Sequence, residues 1–546
     1  MRTFENGTRQ AATPAPTALG LRSLAALLCA TLALPAAATA QTLVSIDDGD
    51  VQGQLNDGTR EFLGIPYAAP PVGALRFRPP QAPAPWASPL DATTYPPACS
   101  QLPVLTNSNT TVENEDCLYL NVWTPDPLPA EPLPVMIWIH GGSNTSGSTG
   151  DFVPFPGFEG IRLYDGHAMA SNGNVIVVTV NYRLNVFGFF GLPDLADEDP
   201  LYPYAGNQGL LDQRAAMQWV HDNIAAFGGD PGNVTIYGES AGSFDVCAHV
   251  VSPMSAGLFQ HAISESGGCT VGVQSEAESV EAADTITAAL GCDTAVDKLA
   301  CLRAVSTHDL LAAGPLVALV GEGTNLGISV DGGFLAEHPR ETFDSHVLSM
   351  SGIPWILGSN SDEGTLFFIN VPELTEAEYS AELLSRYGTL APQVEALYPA
   401  TRFGTPRDTL IRVVGDATLV CSTYDVARRY SSHRNRTFVY NFSRVPSLGL
   451  IDVLQLGAFH GLEIGYVFGS VPPPSVPDER LGLQIQHYWS SFAQRGRPRA
   501  TDGIGWPRFH PTGYRMLRLN TPLTPLKDYR RSECDFWSAV YDLGEF

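Results

Sequence analysis

Short, continuous runs of β-branched and aliphatic residues recur along the chain, each closed by small or polar residues. The runs span 135–139, 175–181, 233–237, 262–265, 353–357 and 437–442. Uninterrupted apolar runs of this length are typical of strands buried on both faces, as in a parallel sheet covered by helices. Segment 42–67 instead alternates apolar and polar positions around an Asp-Gly pair, which predicts an antiparallel ribbon at the sheet edge.

Helical spacing appears between the apolar runs. In segment 210–227 the positions of Leu211, Ala215 and Trp219 share one helix face, and the pattern ends at a Gly-Gly-Asp-Pro sequence. Strand, helix and strand thus alternate, which favours a doubly wound α/β sheet. Segment 373–432 shows helical patterns and few strand signals, so we interpret it as a helical insertion over the active site.

The amino terminus has the pattern of an export signal. Three arginines precede an apolar stretch, 24–34, and Ala-Thr-Ala follows at 38–40. We therefore expect residues 1–40 to be removed, leaving a single catalytic domain over 41–546. No later run reaches the roughly 18 apolar residues of a membrane span, so we expect no stable membrane insertion and a secreted or periplasmic product.

Charge and cysteine content narrow the classes of protein. Acidic residues outnumber basic ones by 57 to 31, which argues against nucleic acid as a partner.

Eight of the nine cysteines follow the signal, an even number that suits disulfides in an oxidising compartment. Their spacing does not fix the pairing. No Cys-x-x-Cys or His-rich cluster accompanies them, which argues against zinc. We expect no metal and no organic cofactor.

A candidate nucleophile follows the strand predicted at 233–237. Residues 238–242 read GESAG, a G-x-S-x-G sequence that places Ser240 on a cramped turn between a strand and a helix. By itself, so short a motif is also compatible with an ordinary helix-capping turn. The flanking strand and helix patterns favour the catalytic interpretation, in which the N–H of Ala241 points to developing negative charge.

A second motif lies upstream of the first. The strand predicted at 135–139 runs directly into His-Gly-Gly-Ser at 140–143, an H-G-G sequence of the kind that supplies oxyanion donors. The N–H groups of Gly142 and Ser143 are the candidate donors.

A triad also needs a histidine and an acid, and these follow the serine in chain order for this type of elbow. His460 lies in a glycine-bounded loop after the strand predicted at 437–442. The acid is either Asp362 or Glu363, just beyond the strand predicted at 353–357. Spacing alone leaves both acids open.

The chain resembles the type-B carboxylesterases, the family of carboxylesterases, some lipases and cholinesterases with an α/β-hydrolase fold. The matching segments are 64–68 (GIPYA), 76–80 (RFRPP), 115–122 (EDCLYLNV), 181–183 (NYR), 207–213 (NQGLLDQ) and 227–231 (FGGDP). The resemblance implies a large, mostly parallel central sheet flanked by helices. It also implies that Glu363 is the acid beside His460 and Ser240.

The resemblance further implies three disulfides and one departure from the family pattern. The implied pairs are Cys99–Cys117, Cys292–Cys301 and Cys421–Cys534; Cys247 and Cys269 either pair or remain thiols. Where the family places a small residue and then an aromatic after the two glycines, this chain has Ser143 and Asn144, which predicts a more polar pocket wall. The loop between Cys99 and Cys117 lacks a tryptophan, so choline esters are not expected.

The sequence thus predicts a secreted serine esterase that hydrolyses a small carboxylic ester through an acyl-enzyme. The alternatives are a catalytically inert binding or adhesion protein of the same fold and, within ester hydrolysis, a lipase or polyester hydrolase. The physiological ester and the oligomeric state do not follow from the sequence.

Overall fold

We analysed a computed structural model of the chain. It describes residues 42–102, 111–112, 114–153, 160–200, 202–314, 326–345, 352–447, 454–500 and 504–544. The predicted export signal lies outside the described residues.

An eleven-stranded sheet runs through the described part of the chain, and a three-stranded sheet lies beside it. The strands are β1 Leu43–Ile46, β2 Gly49–Gln52, β3 Gln54–Asn56, β4 Thr59–Pro66, β5 Leu90–Asp91, β6 Tyr119–Pro125, β7 Leu133–Ile139, β8 Ile176–Val180, β9 Gly229–Glu239, β10 His261–Glu265, β11 Trp355–Asn360, β12 Thr437–Phe442, β13 Arg515–Leu519 and β14 Thr524–Lys527. The large sheet has the order β14-β13-β12-β11-β10-β9-β7-β8-β6-β4-β3, and the small sheet has the order β1-β2-β5.

The centre of the large sheet is parallel and its two ends are antiparallel. Strands β8, β7 and β9 to β13 run parallel to their neighbours in that part of the sheet, whereas β13 with β14, and β8, β6, β4 and β3 in succession, pair antiparallel. The hairpin of β3 and β4 turns at Asp57 and Gly58 and forms one edge, as the alternating pattern predicts.

Helices cover the sheet. The α-helices are α1 His167–Gly173, α2 Asn185–Gly188, α3 Gln208–Asn223, α4 Ala241–Val251, α5 Glu276–Ala289, α6 Lys298–Ala304, α7 Thr307–Ala313, α8 Pro339–Asp344, α9 Glu376–Tyr387, α10 Ala391–Leu397, α11 Pro406–Gly415, α12 Cys421–Ser432, α13 Ile464–Phe468, α14 Val476–Arg495 and α15 Arg531–Leu543. A π-helical turn, Asp416–Val420, joins α11 to α12, and short 3-10 turns occur at Gly73–Leu75, Pro193–Asp197, Ile224–Phe227, Pro253–Ser255 and Gly388–Leu390. Within the described residues, no helix has the length and apolar content that a membrane span requires.

Apolar layers fill both faces of the sheet, which explains the uninterrupted apolar runs. Along β7, Ile137 and Ile139 belong to one buried cluster, whereas Met136 and Trp138 belong to the other. Because successive side chains on a strand point to opposite faces, both sets of positions must be apolar when both faces are covered.

The predicted strands are present, with shifted ends. The run predicted at 353–357 appears as β11, which begins at Trp355 and continues through Ser359 and Asn360. Polarity suggested an earlier end, but these side chains are hydrogen-bonded inside the protein: Ser359 Oγ lies 3.3 Å from the hydroxyl of Tyr424 on α12, and Asn360 Nδ2 donates to the Phe459 carbonyl at 2.7 Å.

The described structure contains four disulfide bonds. They join Cys99 to Cys117, Cys247 to Cys269, Cys292 to Cys301 and Cys421 to Cys534. The pairing that the sequence left open, between Cys247 and Cys269, links α4 to the loop after β10.

Candidate active site

Ser240 lies on a sharp turn between β9 and α4. Its φ of 56° and ψ of −125° are strained for a residue with a side chain. The turn depends on glycine at both sides, because a Cβ on Gly238 would lie 2.6 Å from the Gly242 carbonyl oxygen and one on Gly242 would lie 2.1 Å from the Ile139 carbonyl oxygen. The backbone N–H of Ser240 donates to the Glu265 carbonyl at 2.9 Å. This conformation holds the serine at the carboxyl edge of the sheet, directly before the N-terminus of a helix.

The His-Gly-Gly loop after β7 packs against this turn. A Cβ on Gly141 would lie 2.9 Å from Ser240 Cβ, so the loop and the serine are in direct contact. The Gly142 carbonyl accepts hydrogen bonds from the N–H groups of Thr145 and Ser146, both at 3.0 Å. Since C=O and N–H point in opposite directions across a trans peptide, the Ser143 N–H points away from these contacts. Ser143 itself is exposed.

His460 is buried beside a carboxylate. Its Nδ1 lies 2.7 Å from Glu363 Oε2, and the other oxygen of Glu363 accepts the N–H of Asn360 at 2.6 Å. Because Nδ1 faces a hydrogen-bond acceptor, the tautomer with its proton on Nδ1 is favoured, which leaves Nε2 as the basic nitrogen of the neutral ring. Phe367 packs on the ring with a centroid distance of 5.0 Å.

The neighbouring acid is directed elsewhere. Asp362 Oδ2 accepts the N–H of Ala458 at 2.9 Å, and Oδ1 accepts from Arg412 at 3.2 Å. Of the two acids that spacing left open, the structure therefore brings Glu363, and not Asp362, against the imidazole.

The other ring nitrogen of His460 faces the serine turn. Nε2 lies 3.1 Å from Oε1 of Glu239, the residue that precedes Ser240, without the alignment of a hydrogen bond. In this structure the nitrogen expected to act on the serine therefore lies in charge contact with the residue next to it.

Sequence reasoning missed the further carboxylates around His460. Glu239 and Glu463 are buried near it, and Glu265 is buried close to those two carboxylates. Glu463 accepts from Asn360 Nδ2 and, at 3.3 Å, from Ser266 Oγ. Two of them lie in or beside the sequence motifs: Glu239 is the second residue of GESAG, and Glu463 lies three residues after His460. Their types alone did not show that they converge.

Burial and mutual repulsion raise the pKa values of these carboxylates. Burial raises the pKa of Glu239 to about 7 and that of Glu463 to about 8. The charge of Glu363 raises both pKa values further, whereas the charge of His460 acts to lower the pKa of Glu239. Burial acts to lower the pKa of His460, but the charges of Glu239, Glu363 and Glu463 and the Glu363 hydrogen bond outweigh it and raise that pKa to about 9. The cluster therefore stabilises a protonated imidazole.

Asn144, expected to make the pocket wall more polar, is buried instead. Its side-chain amide donates to Asp245 Oδ1 on α4 at 2.9 Å, beneath the loop. The amide therefore belongs to an internal hydrogen-bond network. Among the described residues, no three His, Cys, Asp or Glu side chains are grouped so that they could hold a metal ion.

A partly exposed serine at a strand-to-helix turn, the His-Gly-Gly loop packed against it and a buried histidine-carboxylate pair are features of an α/β-hydrolase. The chain belongs to the carboxylesterase family, whose model matches residues 40–537. It is a carboxylic ester hydrolase, and the fold class expected from the sequence is confirmed.

Individual relatives agree over nearly the whole chain. Para-nitrobenzyl esterase of Bacillus subtilis (strain 168) is 36% identical over 500 residues, which cover 88% of this chain and 95% of that protein. The medium-chain fatty acyl-CoA hydrolase precursor of Anas platyrhynchos is 34% identical over 514 residues, covering 88% and 87%. A solved structure of PNB esterase superposes with a TM-score of 0.76 at 34% identity, covering 91% of this chain and 99% of that one.

Proposed function

We propose that this chain is a secreted or periplasmic serine carboxylesterase that works through Ser240, His460 and Glu363. The observation that carries the proposal is the buried 2.7 Å contact between His460 Nδ1 and Glu363, on a ring whose other nitrogen faces the turn that holds Ser240. A carboxylate in this position orients the imidazole and stabilises the imidazolium that forms when the serine loses its proton.

The reaction follows from these positions. Ser240 Oγ attacks the ester carbonyl carbon while His460 Nε2 takes the hydroxyl proton, and the carbonyl oxygen becomes an oxyanion. The N–H groups of Gly142, Ser143 and Ala241 stabilise that charge. The bond to the alcohol oxygen then breaks as the imidazolium returns its proton to the leaving group. Water attacks the acyl-enzyme by the same route and releases the acid and free Ser240.

Backbone geometry supports the proposed oxyanion site. The Ala241 N–H is at the start of α4, where the unpaired N–H groups and the helix dipole favour negative charge. The Ser143 N–H belongs to the loop in contact with Ser240 and points away from the interior of that loop. Removal of one such donor typically lowers the rate by about 10² to 10³.

A covalent label tests the role of Ser240. We expect a fluorophosphonate to modify Ser240 stoichiometrically and Ser240→Ala to abolish both the labelling and the hydrolysis of a short-chain nitrophenyl ester. Ser243→Ala is the matched control: Ser243 is buried on the same helix and donates to the Gly267 carbonyl at 2.8 Å, so it should remain unlabelled and its loss should leave labelling intact.

The same experiment separates the alternatives. An inert binding protein of this fold would not react with the fluorophosphonate, and wild-type activity in Ser240→Ala would overturn the proposal. The named relatives suggest para-nitrobenzyl esters and fatty acyl thioesters as further substrates to compare. A rate that rises sharply at an oil–water interface would indicate a lipase.

Export and domain organisation are part of the proposal. We propose that residues 1–40 are a signal peptide and that 41–546 form a single catalytic domain with a helical insertion at about 373–432, where α9 to α12 lie. Four disulfides suit an oxidising compartment. Amino-terminal sequencing of the exported protein should begin at Gln41; an intact Met1 would contradict the cleavage.

A further inference from the structure

A second buried acid lies beneath the oxyanion loop, on the helix that follows the nucleophile. Asp245 belongs to α4 and its side chain is fully buried. Its Oδ1 accepts from Asn144 Nδ2 at 2.9 Å and its Oδ2 from Gln213 Nε2 at 2.6 Å. Within the described residues it forms no ion pair with arginine or lysine. Buried acids usually have a cation partner, so an acid whose hydrogen-bond partners are two amides and the Tyr182 hydroxyl calls for an explanation.

Hydrogen bonds behind Asp245 fix the direction of one amide. His249 Nδ1 lies 2.8 Å from Ser255 Oγ, and His249 Nε2 lies 2.9 Å from Gln213 Oε1. Burial, with the charge of Arg214, lowers the pKa of His249 to about 3, so the ring is neutral and carries one proton. That proton lies on Nε2 and is donated to Gln213 Oε1, because an amide oxygen can only accept. The NH₂ group of Gln213 is thereby directed at Asp245.

The other side of Asp245 reaches the loop proposed to bind the oxyanion. Asn144 has a φ of 55°, and its backbone carbonyl accepts the N–H of Asn185 at 2.7 Å. The Tyr182 hydroxyl lies 3.0 Å from Asn144 Oδ1 and 2.8 Å from the His140 carbonyl oxygen. Asn144 thus has three anchors, of which the bond to Asp245 is the only one that ties it to the helix carrying Ser240 at its cap.

We propose that Asp245 is a positioning residue that, through Asn144, sets the Ser143 N–H relative to Ser240 and Ala241. The inference rests on the proposed function, since it assigns how the two halves of that oxyanion site are connected. One half, Ala241, begins α4, and the other, Ser143, precedes Asn144. A single hydrogen bond, donated by Asn144 Nδ2 to Asp245 in the second turn of α4, joins the two halves directly.

The energetics support a functional reason for the acid. Burial raises the pKa of Asp245 to about 7, although hydrogen bonds from Asn144, Gln213 and Tyr182 act to lower it. A pKa raised on folding contributes stability that is complete below the ordinary pKa of about 3.8 and is lost as the pH rises through about 7. At pH 8 the ionised side chain therefore destabilises the folded state, which is unexpected for a purely structural residue.

Two substitutions at position 245 separate hydrogen bonding from packing. Asp245→Leu removes both acceptors, and we expect kcat to fall by about 30- to 100-fold, with KM within about threefold, because a displaced donor acts mainly on the transition state. Asp245→Asn should keep kcat within about fivefold: when the Asn144 amide turns over, its oxygen accepts from the new amide and its NH₂ donates to the Tyr182 hydroxyl, as amide geometry permits. Asp245→Asn should also melt no earlier than wild type at pH 8.

A cycle with Asn144 tests the connection itself. Asn144→Gly removes the amide and tolerates the φ of 55°. If the two residues act through one hydrogen bond, the double variant Asn144→Gly with Asp245→Leu should lose little more kcat than the worse single variant. Asp331→Leu is the control, because Asp331 is a comparable buried acceptor, for Tyr202 and Asn207, away from the oxyanion loop. It should lower the melting temperature and leave kcat unchanged.

All rates are expressed per site labelled by a fluorophosphonate, so that misfolded protein does not count. Wild-type kcat in Asp245→Leu, losses that multiply in the double variant, or an Asp245→Asn as impaired as Asp245→Leu would each overturn the inference. If Asp245→Leu does not fold, Asn144→Gly gives the same test. Activity in Ser240→Ala would instead overturn the proposed function, so the two failures are distinguishable.

Discussion

Two groups of buried carboxylates in this protein differ in whether arginine contacts them. Away from the candidate active site, Asp212 accepts from Arg183 Nε at 2.7 Å and Nη2 at 2.6 Å, and Asp425 accepts from Arg429 Nε at 2.8 Å. A permanent cation neutralises each of these carboxylates, and the two bonds from Arg183 to Asp212 form a fork.

The carboxylates around His460 have no such partner. Within the described residues, Glu239, Glu363 and Glu463 form no ion pair with arginine or lysine; their contacts are neutral donors and the imidazole. An arginine would cancel their charge at all times. An imidazole can lose its charge and regain it by proton transfer, so here the carboxylates stabilise a charge that depends on the protonation state of His460. The comparison indicates that the carboxylates around His460 are matched to a titratable partner, whereas Asp212 and Asp425 are matched to a permanent cation.

The largest expected effect follows from removal of the charge nearest the imidazole. Glu363→Gln keeps the shape but leaves the imidazolium without its carboxylate, and the single oxygen of Gln cannot replace both the acceptor for His460 and the acceptor for Asn360. We expect kcat/KM for a nitrophenyl ester to fall by about 10³ to 10⁴. A fall of less than tenfold would remove Glu363 from the proposed triad.

Removal of the permanent cation should affect stability instead. Arg183→Met leaves the Asp212 charge buried and unpaired, and we expect the free energy of unfolding to drop by about 3–5 kcal/mol. Urea unfolding measures the change, and kcat per labelled serine should stay near wild type. Adding Asp212→Leu should restore much of the stability. An unchanged free energy of unfolding, or a selective loss of kcat, would break the distinction between the two settings.

Charge near His460 should also set the pH profile. Glu239 acts to raise the pKa of His460, so Glu239→Gln should lower that pKa and move the acidic limb of kcat/KM to lower pH, by roughly one unit. Glu265→Gln is the control, because Glu265 is buried nearby and accepts from Trp489 Nε1 at 2.8 Å. The acidic limb of kcat/KM in this variant should remain at the wild-type pH. A shift to higher pH in Glu239→Gln would contradict the electrostatic account.

The smallest effect should come from the acid next to Glu363. Asp362→Asn retains an acceptor for either the Ala458 N–H or Arg412, and the side chain makes no contact with His460. We expect kcat/KM to change by less than about fivefold, the size of one modest hydrogen bond. A loss as large as that of Glu363→Gln would show that the loop conformation, and not the carboxylate identity, controls the rate.

Much of the fold could be predicted from the sequence because its central strands are apolar on both faces. Six apolar runs correspond to β7 to β12. Strands β5, β6, β13 and β14 were missed: β5 has only two residues, β6 mixes Asn and Thr with apolar residues, and β13 and β14 carry charged residues, as in RMLRL. Periodicity identifies strands less well where only part of the surface is covered.

The site residues proposed from sequence are those that short motifs carry. Ser240 and the His-Gly-Gly loop follow strands directly, so local sequence defines their surroundings. The choice between Asp362 and Glu363 depends on which side chain turns inward after β11, and the positions of Glu463 and Asp245 depend on contacts between distant segments. Such contacts leave no pattern in a single sequence, which is why the carboxylate cluster and the Asn144 network became visible only in three dimensions.

The backbone of Ser240 has a consequence for how this protein can change over time. A φ of 56° suits glycine better than serine, so Ser240→Gly should relax strain of about 1–3 kcal/mol and yield a more stable, inactive protein. In a lineage released from selection for hydrolysis, drift toward greater stability would therefore erase the nucleophile early. The serine at this position is therefore retained at a cost in stability.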